Sequence, residues 1–162
     1  MIYQTVPADQ LLTQGDILDD CPVFRATALG RPEESLSRVL VVTQACDVVQ
    51  SKADLVVVAT VYPATQLVDQ GTLKAAAIRD QVRRGQVFGW YYLPAAPDPI
   101  PLAESIVNFR DLHTVPRALL ETLAADGKRV GRLLTPYREH LAQHFAVTYM
   151  RVALPEPYDT RA

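Results

Sequence analysis

Cysteine is scarce in this 162-residue chain: there are two, Cys21 and Cys46. That excludes a disulfide-stapled mini-scaffold, and with no secretory pattern at the start, free thiols are expected. No apolar run reaches the roughly 18–20 residues that span a bilayer. The opening MIYQTVPADQ lacks the basic, apolar and small-residue regions of a signal peptide, so the cytosol is the expected compartment and no membrane contact is expected. Neither charge sign dominates: sixteen Lys and Arg face eighteen Asp and Glu, a net −2, which argues against loose, charge-driven nucleic-acid binding. Glycine is sparse (seven) beside twelve prolines, which points to defined strand ends and stiff loops. Repeats and low-complexity tracts are missing as well.

What is present is a globular composition, 49% hydrophobic and 21% charged, of one-domain size. Residues 1–155 are read as a single domain and 156–162 as a tail. A Gly-Asp turn opens "TQGDILDDCPVF", and a polar loop, "RATALGRPEESLS", comes after it. Two β-branched runs come next, Arg38–Thr43 and Leu55–Tyr62, unbroken enough for strands buried on both faces. In 64–85, Leu67, Leu73, Ala77, Ile78 and Val82 recur at helical spacing, which predicts an inserted helical hairpin or lid. Strand character returns in "QVFGWYYLPA" and "SIVNFRDLHTV". "PRALLETLAADGK" reads as a short helix with Gly127 behind it. In the last helix Thr135 would cap, Pro136 would hold the first position, and Tyr137, Leu141, Phe145, Thr148 and Val152 make one apolar stripe. Strands first with helices inserted or last is an α+β pattern, here expected on a small, mostly antiparallel barrel.

The phrase Thr43-Gln44-Ala45-Cys46-Asp47 carries a candidate thiol. It shares Gln-Ala-Cys with caspases but lacks the glycine two places on and a histidine about 50 residues upstream; the first histidine is His113. Asp47 beside the thiol would disfavour a thiolate. Cys21, Cys46, Asp47, His140 and His144 include metal-ligand types, and the two histidines stand four apart. Without a Cys-x-x-Cys pair or a glutamate between the histidines, no metal and no cofactor is expected. The plain alternative is a small buried thiol at a strand end.

Strand order and short apolar words resemble the PemK/MazF family of bacterial toxins, small Src-homology-3-like barrels that cleave RNA without a metal. The resemblance rests on Gln14-Gly15-Asp16-Ile17, on Ser37–Thr43, on Val56–Val61 and on Ser105–Leu120, and skips the 64–85 insert. It implies Arg38 as the cation facing a pentavalent phosphorus and Thr60 as its hydroxyl partner, with His113 a candidate acid or base. The Thr-x-x-Cys-Asp phrase is similar instead to a group of uncharacterised bacterial proteins. Lys74, Arg79, Arg83 and Arg84 could meet phosphate, and Trp90 and Tyr92 could stack on bases. Solubilising an inserted helix, and packing in a core or dimer interface, explain the same residues. The expectation is a bacterial regulatory or interaction module on a PemK/MazF-like barrel, binding a protein partner or a second copy of itself. The alternatives are a toxin-like ribonuclease using Arg38 and Thr60, which brings RNA in as a partner, and a cysteine-dependent site at Cys46 with Asp47.

Overall fold

The computed structural model describes residues 1–49 and 54–150; the tail expected at 156–162, and Val152 of the apolar stripe, lie outside the described residues. In chain order the elements are β1 (Tyr3–Gln4), β2 (Asp16–Ala26), β3 (Pro32–Val41), α1 (Ala45–Val49), β4 (Leu55–Pro63) and α2 (Ala64–Asp69). Then come α3 (Ala75–Ala77), running into a π-helical turn (Ile78–Val82), β5 (Trp90–Leu93), β6 (Ser105–Pro116), α4 (Arg117–Ala125), β7 (Arg129–Leu133) and α5 (Tyr137–Tyr149). The strands form one antiparallel sheet in the order β1-β7-β2-β3-β4-β6-β5.

That order corrects the barrel. The sheet is open: β1 pairs with β7, β5 pairs with β6, and no ladder joins β1 to β5. The end strands are two and four residues long. Pro94 comes directly after β5 and offers no N–H to continue a ladder. The PemK/MazF-type barrel expected from the strand words is therefore absent, and the interaction module and the toxin-like ribonuclease that were built on it fall with it. The fold is α+β, an unclosed antiparallel sheet with helices inserted.

Alternation sorts the central strands into two apolar faces. Leu40, Ala59, Val61, Val107 and Phe109 pack on one side with Leu141 and Phe145 of α5. Val39, Val41, Val56, Val58 and Val115 pack on the other with Leu120 and Ala124 of α4. Leu120 is fully buried, worth about 1.5–3 kcal/mol by area. α4 ends in a Schellman arrangement around Gly127 at φ +75: Gly127 N–H donates to Ala124 and Lys128 N–H to Leu123. A smaller cluster, Ala64, Leu67, Ile78, Val82 and Ile106, seats the 64–82 helices.

Two irregularities shape the sheet. On β2, Asp19 and Asp20 stand where β3 has only Arg38, a bulge with Asp20 in the left-handed region at φ 58. Beyond it the β2/β3 ribbon leaves its neighbours, since β3 meets β4 only through Val39–Val41 and β2 meets β7 only through Asp16–Leu18. The polar stretch read as a loop is mostly this ribbon, with Arg25 opposite Glu33. On β6 the register jumps: Thr60 faces Asn108 while Ala59 faces Leu112, so Phe109, Arg110 and Asp111 have no partner on β4.

Beneath the N-terminal arm, Asp16 is fully buried. Its carboxylate takes Arg132 Nε at 2.5 Å and Nη2 at 2.9 Å, and the Thr13 N–H at 3.1 Å. Arg129 lies 3.6 Å away, and burial pulls its guanidinium value down. Arg129 and Arg132 also donate to the Pro7, Gln10 and Leu11 carbonyls, tying the arm to β7.

Candidate functional site

The open edges of the sheet frame a cleft of about 310 Å³, a volume at the lower end for small-molecule sites. Its floor is β5. Gly89, at φ +88, sets that strand: a β-carbon there would sit 3.0 Å from Arg110 Nε. Beyond it stand four half-buried or buried residues, Trp90 to Leu93, and Pro94 ends them. One wall is the end of the π-helical turn and the chain just after it, Val82, Arg83 and Gly85; the opposite wall is Ile2, Leu133, Tyr137 and His140. Thr148 accepts from the Gly89 N–H at 3.4 Å, and the Tyr149 hydroxyl donates to the Phe109 carbonyl, so the C-terminal end of α5 is pinned to the start of β5 and to β6.

The polar groups in this apolar space are few. The Tyr91 hydroxyl lies 3.3 Å from the Tyr137 carbonyl and 3.1 Å from His140 Nδ1. One hydroxyl proton serves only one of them, so when it goes to the carbonyl the His140 N–H donates to Tyr91. Burial pushes the Tyr91 phenol up to about 12, so it stays protonated. Arg83 Cζ sits 5.7 Å over the Tyr92 ring, and Arg83 makes no ion pair among the described residues. Glu104, the nearby acid, accepts the Tyr92 hydroxyl at 2.6 Å. Tyr92 is raised to about 12, by burial first and then by Glu104.

A second polar group crosses the α4 face of the sheet. Strand alternation puts Val56, Val58, Thr60 and Tyr62 on one face of β4; the two valines belong to the core under α4, and Tyr62 packs against the cluster under α2. Between those apolar patches the ribbon residue Arg25 clamps Asp111 at 2.7 and 3.1 Å. Arg25 also donates to Ser35 at 2.7 Å, Thr60 at 3.3 Å and Tyr62 at 3.4 Å. Asp111 further accepts the Tyr62 hydroxyl at 2.6 Å and meets His113 Nε2 at 3.0 Å. Burial pushes Asp111 up, but hydrogen bonds from Arg25, Tyr62 and Thr60 outweigh it and hold the carboxyl well below the usual range. Tyr62 rises to about 12, by burial first. Both carboxylate oxygens of Asp111 are engaged inside the protein, so this group works as a clamp between ribbon and sheet.

The residues singled out in the sequence fall into separate places, two of them clefts. Arg38 is held bidentate by Asp19 at 2.5 and 2.8 Å and donates to the Pro101 carbonyl. Thr60, 1% exposed within the clamp, lines the same polar cleft as Arg38, so the structure does bring these two to one cleft, with Arg38 tied to Asp19 and Thr60 to Arg25. His113 is bound to Asp111 and lines neither that cleft nor the aromatic one. Cys46 is exposed rather than buried, its Sγ 3.8 Å from Gln44 Oε1 and from Asp47 Oδ1. Trp90, Tyr92 and Arg83 do meet, in the aromatic cleft; Arg84 is exposed beside them. No group of three or more His, Cys, Asp or Glu able to hold a metal occurs among the described residues; His140 and His144 pack tilted and edge-on against the Tyr91 ring. Arg25, Asp111 and Tyr91 are not marked out by the sequence. Only the aromatic run hints at Tyr91, and nothing local pairs Arg25 with a residue 86 positions away. No protein-family model matches the chain, and no curated protein is significantly similar to it.

Proposed function

We propose that this domain binds a compact, flat organic anion in the cleft between the open edges of its sheet. The observation that carries the reading is Arg83, a cation without an ion-pair partner among the described residues, poised over an aromatic ring at the mouth of an apolar cleft. Trp90, Tyr91 and Tyr92 supply π-surface for a ring, and His140 with the Tyr91 hydroxyl supplies one polar anchor on the wall. The domain is read as a cytosolic one. In support, no helix among the described residues is long and apolar enough to cross a membrane, and both cysteines are free thiols, as a reducing compartment would keep them.

Trp90 is the chain's single tryptophan, so its one indole N–H resonance reports occupancy of the cleft. Titration of the labelled chain with 1-naphthoate and with the neutral 1-naphthalenemethanol tests the reading. The anion should bind about tenfold tighter, the worth of one charge-assisted hydrogen bond at a partly exposed site. Arg83→Gln should erase that difference and leave the neutral compound unchanged. An indole signal that moves with neither compound would sink the reading.

A further inference from the structure

The hydrogen-bond parity of the end strand shows what its free edge offers. Phe109 N–H donates to the Gly89 carbonyl at 2.8 Å, and these two residues face each other in the register that sets Trp90 opposite Asn108. In an antiparallel pair, bonded and non-bonded positions alternate. Tyr91 with Val107 and Leu93 with Ser105 are therefore the bonded pairs, while Trp90 and Tyr92 turn their N–H and C=O away from β6. The other side of β6 agrees. Ala64 N–H donates to the Glu104 carbonyl, which gives Ile106 and Asn108, not Val107, to the β4 ladder.

Trp90 has its outward N–H near the Val87 carbonyl (3.4 Å), and its own carbonyl faces the His144 ring. Tyr92 is the next outward position, and it lines the cleft. There a main-chain donor and acceptor stand side by side on a sheet edge, in the residue whose ring lies 5.7 Å from Arg83 Cζ. At the next outward position Pro94 has no N–H, and its carbonyl accepts the Tyr3 hydroxyl at 2.7 Å. With the outward groups of Trp90 and Pro94 so engaged, the free edge is one residue long, which favours a compact molecule over an extended peptide.

Resting on the binding reading above, we infer that the ligand presents a lactam- or carboxamide-type edge, a donor beside an acceptor, to the main chain of Tyr92 while its negative group meets Arg83. Selectivity then comes from the backbone of β5, and the flanking aromatics hold the ring plane in register with it.

The experiment uses the full ¹⁵N-labelled chain and three probes: 2-quinolone-4-carboxylate, 1-naphthoate and the capped peptide acetyl-Val-Asp-Val-amide. The quinolone has the lactam edge and the charge; the naphthoate has the charge alone. The quinolone should bind about tenfold tighter than naphthoate, the worth of two neutral hydrogen bonds. It should also shift the Tyr92 amide resonance and slow that amide's hydrogen exchange, which naphthoate should not do. Equal affinities with an unmoved Tyr92 amide, while the Trp90 indole signal shifts, would overturn this inference and leave the binding reading standing. An indole signal that no probe moves would overturn both. Tighter binding of the capped peptide than of the quinolone would overturn the compact-ligand inference in favour of strand addition.

Discussion

Consider Asp111→Asn. The substitution removes one negative charge that Arg25, Tyr62 and His113 all address, at 2.6–3.1 Å. Hydrogen bonds to a charged group contribute about 1.5–3 kcal/mol each net, and orphaning one member of a fully buried ion pair costs roughly 3–5 kcal/mol. The Arg25 side chain is 34% exposed, so water recovers part of its solvation. The loss should come to about 2–3 kcal/mol after that discount. Urea unfolding at pH 7 of the wild type, Asp111→Asn, Arg25→Met and the double variant gives the coupling, expected at about 1–2 kcal/mol. The pH dependence has a definite sign. Because the native carboxyl lies below its unfolded value, its contribution is fully present above about pH 4 and is lost as the pH falls through the native value. The stability gap between wild type and Asp111→Asn should thus hold level from pH 7 to 5 and narrow below about pH 4. A coupling under about 0.5 kcal/mol, or a gap that stays level down to pH 3, would refute the clamp.

Three further outcomes are expected. Asp16→Asn strands Arg132 and Arg129 beneath the arm and should cost about 3–5 kcal/mol in urea unfolding; a loss below about 1 kcal/mol would contradict a buried ionic anchor. A disulfide reagent should label one thiol per native chain, the exposed Cys46, and two after denaturation, because Cys21 is fully buried and burial pushes its thiol up to about 11; two fast native thiols would contradict the packing. Burial, with a smaller contribution from His140, pulls His144 below its ordinary value against the Val87 and Trp90 carbonyls. The native state therefore takes up fewer protons than the unfolded one, and stability should fall as the pH drops below about 6.5. His144→Leu should flatten that slope between pH 7 and 5, and an unchanged slope would exclude His144 as its source.

Local pattern makes several elements legible. The valine runs of β3 and β4 announce strands buried on both sides, and Gly127 marks the end of α4. The capping pattern puts the start of α5 a little early: Pro136 adopts a non-helical backbone, the helix begins at Tyr137, and the Thr135 hydroxyl bonds Glu139 rather than capping. Closure of the sheet is not legible, because short apolar words fix which strands are central and say nothing of whether the end strands meet. The clamp is hidden by parity. Counting by twos from Phe109, which is in the α5 core, Asp111 falls on the apolar face; only the three-residue register jump places it opposite. The aromatic cleft is half visible. "GWYY" suggests a face with work to do, but Ile2, Arg83 and the Leu133–His140 stretch come from three distant segments that only the tertiary fold assembles.

The jump in β6 has a bearing on how this chain can change length. A single insertion in the Ser105–Asn108 half would send Ile106 and Val107 to exchange sides, and the whole half-strand would be misdressed. Within 109–111 the ladder to β4 is already interrupted, so a residue gained or lost there leaves both flanking registers as they stand. Phe109 is needed by the core and Asp111 by Arg25, which leaves the exposed Arg110 as the place where a descendant sequence could lengthen or shorten without re-threading the sheet.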